Sequence, residues 1–207
     1  MNKAYAFFCR AYQTVFRAAL PILPYREPVQ LDGLASIVPL LTEKEISSVL
    51  LVTDASVRAL GLTGGLEDAL KAASVACAVY DKTVPNPTIA NIEEGRALYL
   101  SARAQAIIAV GGGSPMDASK IMWLLYEHPE IAFSDVREKF FDIRKRAFKI
   151  PPLGKKAKLV CIPTSSGTGS EVTPFAVITD HKTGYKYPIT DYALTPSVAI
   201  VDPVLAR

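Results

Sequence analysis

The sequence predicts an α/β fold: a Rossmann-like, doubly wound parallel sheet with an added β-hairpin. Three observations carry this reading. Short apolar runs recur at Ser48–Thr53, Val75–Tyr80, Gln105–Val110 and Lys158–Ile162, with amphipathic stretches between them. Strands buried on both faces of a parallel sheet look like this. The third run is followed at once by Gly111-Gly112-Gly113 and a helix start, and the fourth by the hydroxyl- and glycine-rich stretch Pro163–Glu171. Strand–helix alternation of this kind places ligands at the carboxyl ends of the strands.

Taken in order, Lys3–Leu20 sets Tyr5, Phe8, Tyr12, Val15, Phe16 and Ala19 at helical spacing. Arg10 and Arg17 interrupt the stripe, so it is neither a secretory core nor a membrane span. It is expected to pack on the domain or on a partner subunit. Pro21, Pro24 and Pro28 make a connector, so residues 1–30 are read as a helix plus connector and residues 31–207 as the main domain. The Ser48–Thr53 strand ends at Asp54, and Ser56–Ala73 carries one or two helical pieces around Gly61–Gly65. A loop holding Pro85-Asn86-Pro87 leads into a helix over Thr88–Ala102, with Ile89, Ile92, Arg96 and Tyr99 on one face. After the glycine turn, Ser114 reads as a capping serine, Pro115 as the first helical residue, and the helix to Tyr126 as apolar almost all round, hence buried. Ser134–Phe148 is a further amphipathic helix, whose Arg144-Lys145-Arg146 reads as a solvated end. Ile150–Lys156 is a turn-rich connector. Val172–Thr179 and Tyr185–Thr190 read as a hairpin, and Ser197–Val201 as a last strand.

Composition excludes several function classes. The chain has 207 residues and a formal charge of +3, with half of its residues hydrophobic. No basic run is interleaved with exposed aromatics, so nucleic acid is not an expected partner, and neither is a membrane. Cys9, Cys77 and Cys161 are odd in number and lie in apolar runs, which points to buried thiols in a reducing, cytoplasmic setting. His128 and His181 sit in turn-like contexts without a metal-ligand spacing partner, and read as surface residues.

Chemistry concentrates at three strand ends. Glycines followed by a helix N-terminus allow close backbone approach and present free amides and a positive dipole end to phosphate. The same pattern also describes a tight turn that binds nothing. Asp54 can accept both hydroxyls of an adenosine ribose and would repel a 2′-phosphate, favouring NAD over NADP; from position alone it can equally cap the next helix. The Pro163–Glu171 stretch offers hydroxyls and glycines suited to phosphate or ribose contacts.

The stretch Gly111-Gly112-Gly113-Ser114-Pro115-Met116-Asp117, with Ile162–Thr173, resembles the iron-containing (group III) alcohol dehydrogenase family. Lys120–Trp123, Tyr126–Glu130, Phe141–Arg146, Pro174–Asp180, Lys186-Tyr187-Pro188 and Ala199–Asp202 are similar to the alcohol dehydrogenase half of bifunctional aldehyde–alcohol dehydrogenases. The likeness runs from about Val49 to Pro203. It implies that Asp54 would hold the adenosine ribose and Asn86 would lie near the adenine. Gly112, Gly113, Ser114 and Asp117 would cradle the pyrophosphate, Asp117 by orienting backbone. Thr164, Ser165, Thr168 and Thr173 would line the path to the nicotinamide, Lys186 would reach the cofactor ribose, and Leu205 would touch the cofactor near the domain boundary. The resemblance further implies a helical region beyond Arg207 whose aspartate and histidines bind the catalytic metal, iron (Fe2+) or another divalent ion.

The chain is therefore expected to lack the metal ligands and any catalytic residue, and to be inactive alone. It is expected to be the NAD-binding domain of an enzyme interconverting a small primary alcohol and an aldehyde. The alternatives are a related polyol dehydrogenase or a non-catalytic nucleotide-binding or assembly subunit. An apolar face formed by Val198, Ile200, Val204 and Leu205 is expected to drive homo-oligomer formation.

Overall fold

The computed structural model describes residues 26–136 and 150–206, with a few positions between 7 and 18. Much of the Lys3–Leu20 stripe, Cys9, and all but the start of the Ser134–Phe148 helix lie outside the described residues. In chain order the elements are β1 (Val29–Asp32), α1 (Ile37–Glu43), β2 (Ser48–Asp54), α2 (Ala55–Ala59), α3 (Gly64–Ala72), β3 (Ala76–Thr83) and α4 (Ile89–Ala102). There follow β4 (Ala106–Gly111), α5 (Gly113–Glu127), β5 (Lys158–Pro163), β6 (Phe175–Thr179), β7 (Lys186–Thr190) and β8 (Val198–Val201).

Six strands form one parallel sheet in the order β1-β8-β5-β4-β2-β3. The central strands β2, β4 and β5 are the continuous apolar runs of the sequence, and each is buried on both faces. Alternate residues face opposite sides of a strand, and the core divides accordingly. Leu50, Val52, Ile107, Ala109, Leu159 and Cys161 pack with Ile92 and Tyr99 of α4 and with α5. Val49, Leu51, Ile108, Val110, Val160 and Ile162 pack with Ile37, Leu41, Leu66 and Leu70 of α1 and α3. The antiparallel hairpin β6–β7 lies on the first side, burying Ala176, Ile178, Tyr187 and Ile189 in the α4–α5 core. From β2 the chain moves outward to β3, then crosses back to β4 on the other side of β2. The crevice between the carboxyl ends of β2 and β4 is thus the topological switch point of the sheet.

Several expectations shift. The sheet takes in Val29 and Gln30, two residues ahead of the expected boundary, because β1 pairs with β8 as its edge strand. The hairpin begins at Phe175, not Val172. Val198 and Ile200 are core residues of β8, not an exposed face, whereas Val204 is 69% exposed. Cys161 is buried, and burial pushes its thiol up to about 12; Cys77 is only half-buried. His128 is half-buried, its Nδ1 3.0 Å from Glu130 Oε1, while His181 is exposed. No described helix is long and apolar enough to cross a membrane.

The buried helix α5 is not purely apolar. Glu127, at its last turn, accepts from the backbone N–H groups of Gly154 (2.8 Å), Lys155 (3.2 Å), Lys156 (3.2 Å) and Ala157 (3.1 Å) and from the Trp123 indole (3.2 Å). It ties the connector entering β5 to the helix. Glu127→Ala would take the acceptor from the buried Ala157 N–H and the part-buried Gly154 N–H, at about 2–3 kcal/mol. Urea unfolding of the variant is expected to show a lower midpoint with an unchanged slope.

Candidate functional site

Asp54 ends β2 and caps α2: its Oδ1 accepts from the N–H groups of Ser56 (2.9 Å) and Val57 (3.0 Å). The capping role is thus real, and it uses one oxygen. The other, Oδ2, lies 3.5 Å from the point a Cβ would occupy at Gly111, so it faces the glycine turn.

Gly111 makes that turn alone. Its φ of 147° disfavours any side chain, and a Cβ there would sit 2.8 Å from Pro115 Cγ. Its carbonyl accepts from the Thr164 N–H (2.9 Å), fastening the loop after β5 to the turn after β4. Because the chain turns at Gly111, the helix cap is Gly112 and not Ser114, and no side chain caps the first turn of α5. Ser114 is instead the second helical residue, and its Oγ accepts from the Asn86 N–H at 3.3 Å. The result is a helix N-terminus whose amides have no side-chain cap, set at the switch point: a seat for an anion.

A cleft of about 530 Å³ opens here, lined by Asp54, Gly112, Gly113, Ser114, Thr164 and Leu205 among others, with Leu60, Leu62, Val84 and Pro85 as apolar walls. A cavity of about 600 Å³ at the amino ends of β1, β5 and β8 holds none of the candidate residues. Of the remaining candidates, Ser165, Thr168, Asn86 and Lys186 sit on segments packed against the glycine turn or the Pro85–Pro87 loop. Ser165 Oγ lies 3.3 Å from the Cβ point of Gly112, and Thr168 Cγ2 3.1 Å from that of Gly113. A side chain at 113 would press on Thr168, which would have to move aside slightly. Asn86, held in the left-handed region at φ 57°, accepts from Lys186 Nζ at 2.8 Å. The hairpin meets the same loop again where the Thr179 N–H donates to the Pro87 carbonyl (2.8 Å).

Asp117 and Thr173 do not reach the cleft wall. Asp117 Oδ2 accepts from the Val177 N–H (2.9 Å) of β6, and burial holds its carboxyl above the usual range. The Thr173 carbonyl accepts from Lys120 Nζ (2.8 Å), which also donates to the Phe175 carbonyl (2.6 Å). Lys120 is fully buried, and burial lowers its pKa; its ammonium lies 4.0 Å from Asp117 Oδ1. The pair pins the hairpin and the end of the Thr164–Thr173 loop to the helix. A charge three residues after Asp117, in an otherwise apolar helix, was the available sign of Lys120. Thr83, buried, with no hydrogen-bond partner for its Oγ1 and lining the cleft, had no sign of its own in the sequence.

A doubly wound sheet with an open helix N-terminus and a carboxylate at its switch point defines a nucleotide-binding class of α/β domain. The particular family follows from comparison. A family model described as iron-containing alcohol dehydrogenase matches residues 29–203, and the chain belongs to that family. It is 55% identical over 163 residues to aldehyde-alcohol dehydrogenase 2 of Entamoeba histolytica, covering 78% of this chain and 19% of that protein. Against the bifunctional aldehyde-alcohol dehydrogenase of Escherichia coli it is 44% identical over 194 residues, 92% of this chain and 22% of the relative. Sulfoacetaldehyde reductase of Bifidobacterium kashiwanohense, solved in complex with NAD+, superposes with a TM-score of 0.70 at 28% identity, over 87% of this chain and 46% of that one. The chain thus spans about a fifth of the length of these two curated relatives.

The Lys120 contacts generate a test. Lys120→Met would strand two carbonyls and a buried carboxylate, costing about 3–5 kcal/mol. Thermal melts are expected to show a large loss. An unchanged melting temperature would mean that the hairpin is held by its apolar face alone.

Proposed function

We propose that this chain is the NAD-binding part of an iron-dependent alcohol dehydrogenase that interconverts a small primary alcohol and an aldehyde. The observation that carries the reading is the α5 N-terminus without a side-chain cap at the switch point, with Asp54 Oδ2 turned toward it. The names of the Entamoeba histolytica and Escherichia coli relatives and the NAD+ complex of the reductase support it.

The residues present fit a dinucleotide. The first turn of α5 has no side-chain cap and starts on two glycines, so bare backbone amides are available to a diphosphate. On this reading the amides of Gly112, Gly113 and Ser114 hold the pyrophosphate, and Asp54 accepts the ribose hydroxyls. Asn86 borders the adenine, and Leu205 contacts the cofactor at the edge of the domain. Thr164, Ser165, Thr168 and Thr173 border the path to the nicotinamide, while Lys186 exchanges its amide partner for the cofactor ribose. Asp117 holds the hairpin and makes no phosphate contact. When bound, NAD supplies the hydride acceptor.

Among the described residues there is no cluster of three or more His, Cys, Asp or Glu able to hold a metal ion. On this reading the ligands lie elsewhere in the complete enzyme, and no catalytic residue is assigned here. A cytoplasmic homo-oligomer that binds neither nucleic acid nor membrane fits the low net charge and the odd number of cysteines. A main domain whose sheet starts at Val29, preceded by a separate N-terminal segment, completes the proposal.

Calorimetric titration tests it. The 207-residue chain is expected to bind NAD with one site and more tightly than NADP. Asp54→Asn keeps an oxygen for the α2 cap and removes the charge. Loss of a charge-assisted hydrogen-bond pair is expected to weaken NAD by about 1.5–3 kcal/mol, roughly ten- to a hundredfold. Absence of NAD binding by the folded wild-type chain would reject the reading. A separate expectation is that this chain alone, supplied with Fe2+ or Zn2+, turns over neither ethanol nor butanol; measurable NADH formation would place metal ligands within it.

A further inference from the structure

We infer that exclusion of a 2′-phosphate is shared between Asp54 and Asp81, with Arg58 held out of use by Asp81 and Glu67. The inference deepens the NAD reading above and depends on it. Asp81, near the carboxyl end of β3, lines the same cleft as Asp54. Arg58 stands one helical turn after Asp54 on α2 and comes to the edge of the cleft at Asp81. Its guanidinium is already engaged. Nη1 donates to Thr63 Oγ1 (3.1 Å) and to Glu67, and Nε lies 3.6 Å from Asp81 Oδ2. Lys82, the cleft's other nearby cation, has its Nζ 2.6 Å from Glu94 Oε1.

The charges around this end of the cleft are therefore Asp54, Glu67, Asp81 and Glu94 against Arg58 and Lys82, an excess of two negative charges. A 2′-phosphate would add to that excess, whereas the bare ribose of NAD would not. Asp81 contributes twice: its carboxylate faces the cleft, and it holds the cation that could have offset the phosphate. Its side chain is 45% exposed and that of Arg58 34%, so water screens both and each effect is modest.

The test is calorimetry at low ionic strength with NAD and NADP. It compares the full wild-type chain, Asp81→Asn, Asp54→Asn, the double variant, and the double variant with Arg58→Met. Asp81→Asn is expected to raise the NADP-to-NAD affinity ratio about threefold to tenfold. Asp81→Asn removes one of the two acidic partners of Arg58, so part of its gain should be carried by the arginine, and adding Arg58→Met should reduce the gain seen in the double variant. An unchanged ratio on Asp81→Asn in both backgrounds overturns the inference while leaving the NAD reading intact. A gain that Arg58→Met leaves undiminished overturns the role given to the arginine. A folded wild-type chain that binds neither dinucleotide rejects the NAD reading and the inference with it.

Discussion

The Glu127 carboxylate, buried at the last turn of α5, receives four backbone N–H groups and an indole. A negative group at a helix C-terminus opposes the helix dipole, so these donors must outweigh both that repulsion and the cost of burial. Two turns earlier, Lys120 donates to two carbonyls of the chain entering β6. Between them the two charges fix the connector entering β5 and the start of the hairpin. The geometry at the other end of α5 depends on that anchorage. The loop after β5 can lie against the glycine turn only because the strand before it and the hairpin after it are both tied to one helix.

Placing α5 in this way sets its positive end toward the crevice. Gly111 turns the chain without help from a side chain, and the first-turn amides have no side-chain cap. Asp54 divides its two oxygens between the α2 cap and the turn. A substitution at this position that cannot accept from Ser56 and Val57 would loosen α2 as well as change the crevice. Loss of affinity in such a variant is then ambiguous, whereas an isosteric amide keeps the two roles apart.

The fold was legible where short-range pattern decides it. β2, β4 and β5 are apolar runs with both faces buried, and the break at Gly111 has no regular alternative. Thr88 was equally readable, since it forms a capping box with Asn91 at the start of α4. Other features needed partners far away in sequence. β1 is four residues with exposed positions, and only β8 makes it a strand. Ser114 followed a sound local rule and lost to the freedom of Gly111, which moved the cap forward to Gly112. Lys120 and Glu127 looked like polar interruptions of an apolar helix, because the carbonyls and amides they serve lie in later loops. The resemblance set Asp117 beside the pyrophosphate as an orienter of backbone, and the backbone it holds is that of β6, which only the tertiary structure brings to it.

The Pro85–Pro87 loop and the hairpin are joined twice, through Thr179 to Pro87 and through Lys186 to Asn86. Two prolines stiffen the loop from within, and the hairpin is rooted in the core. This wall of the crevice is consequently built before any guest arrives. The rotational freedom of Lys186 is already reduced in the empty protein, so recruiting its ammonium to a guest forfeits little further disorder. What it does require is an exchange of partners, from the Asn86 amide oxygen to a ligand oxygen.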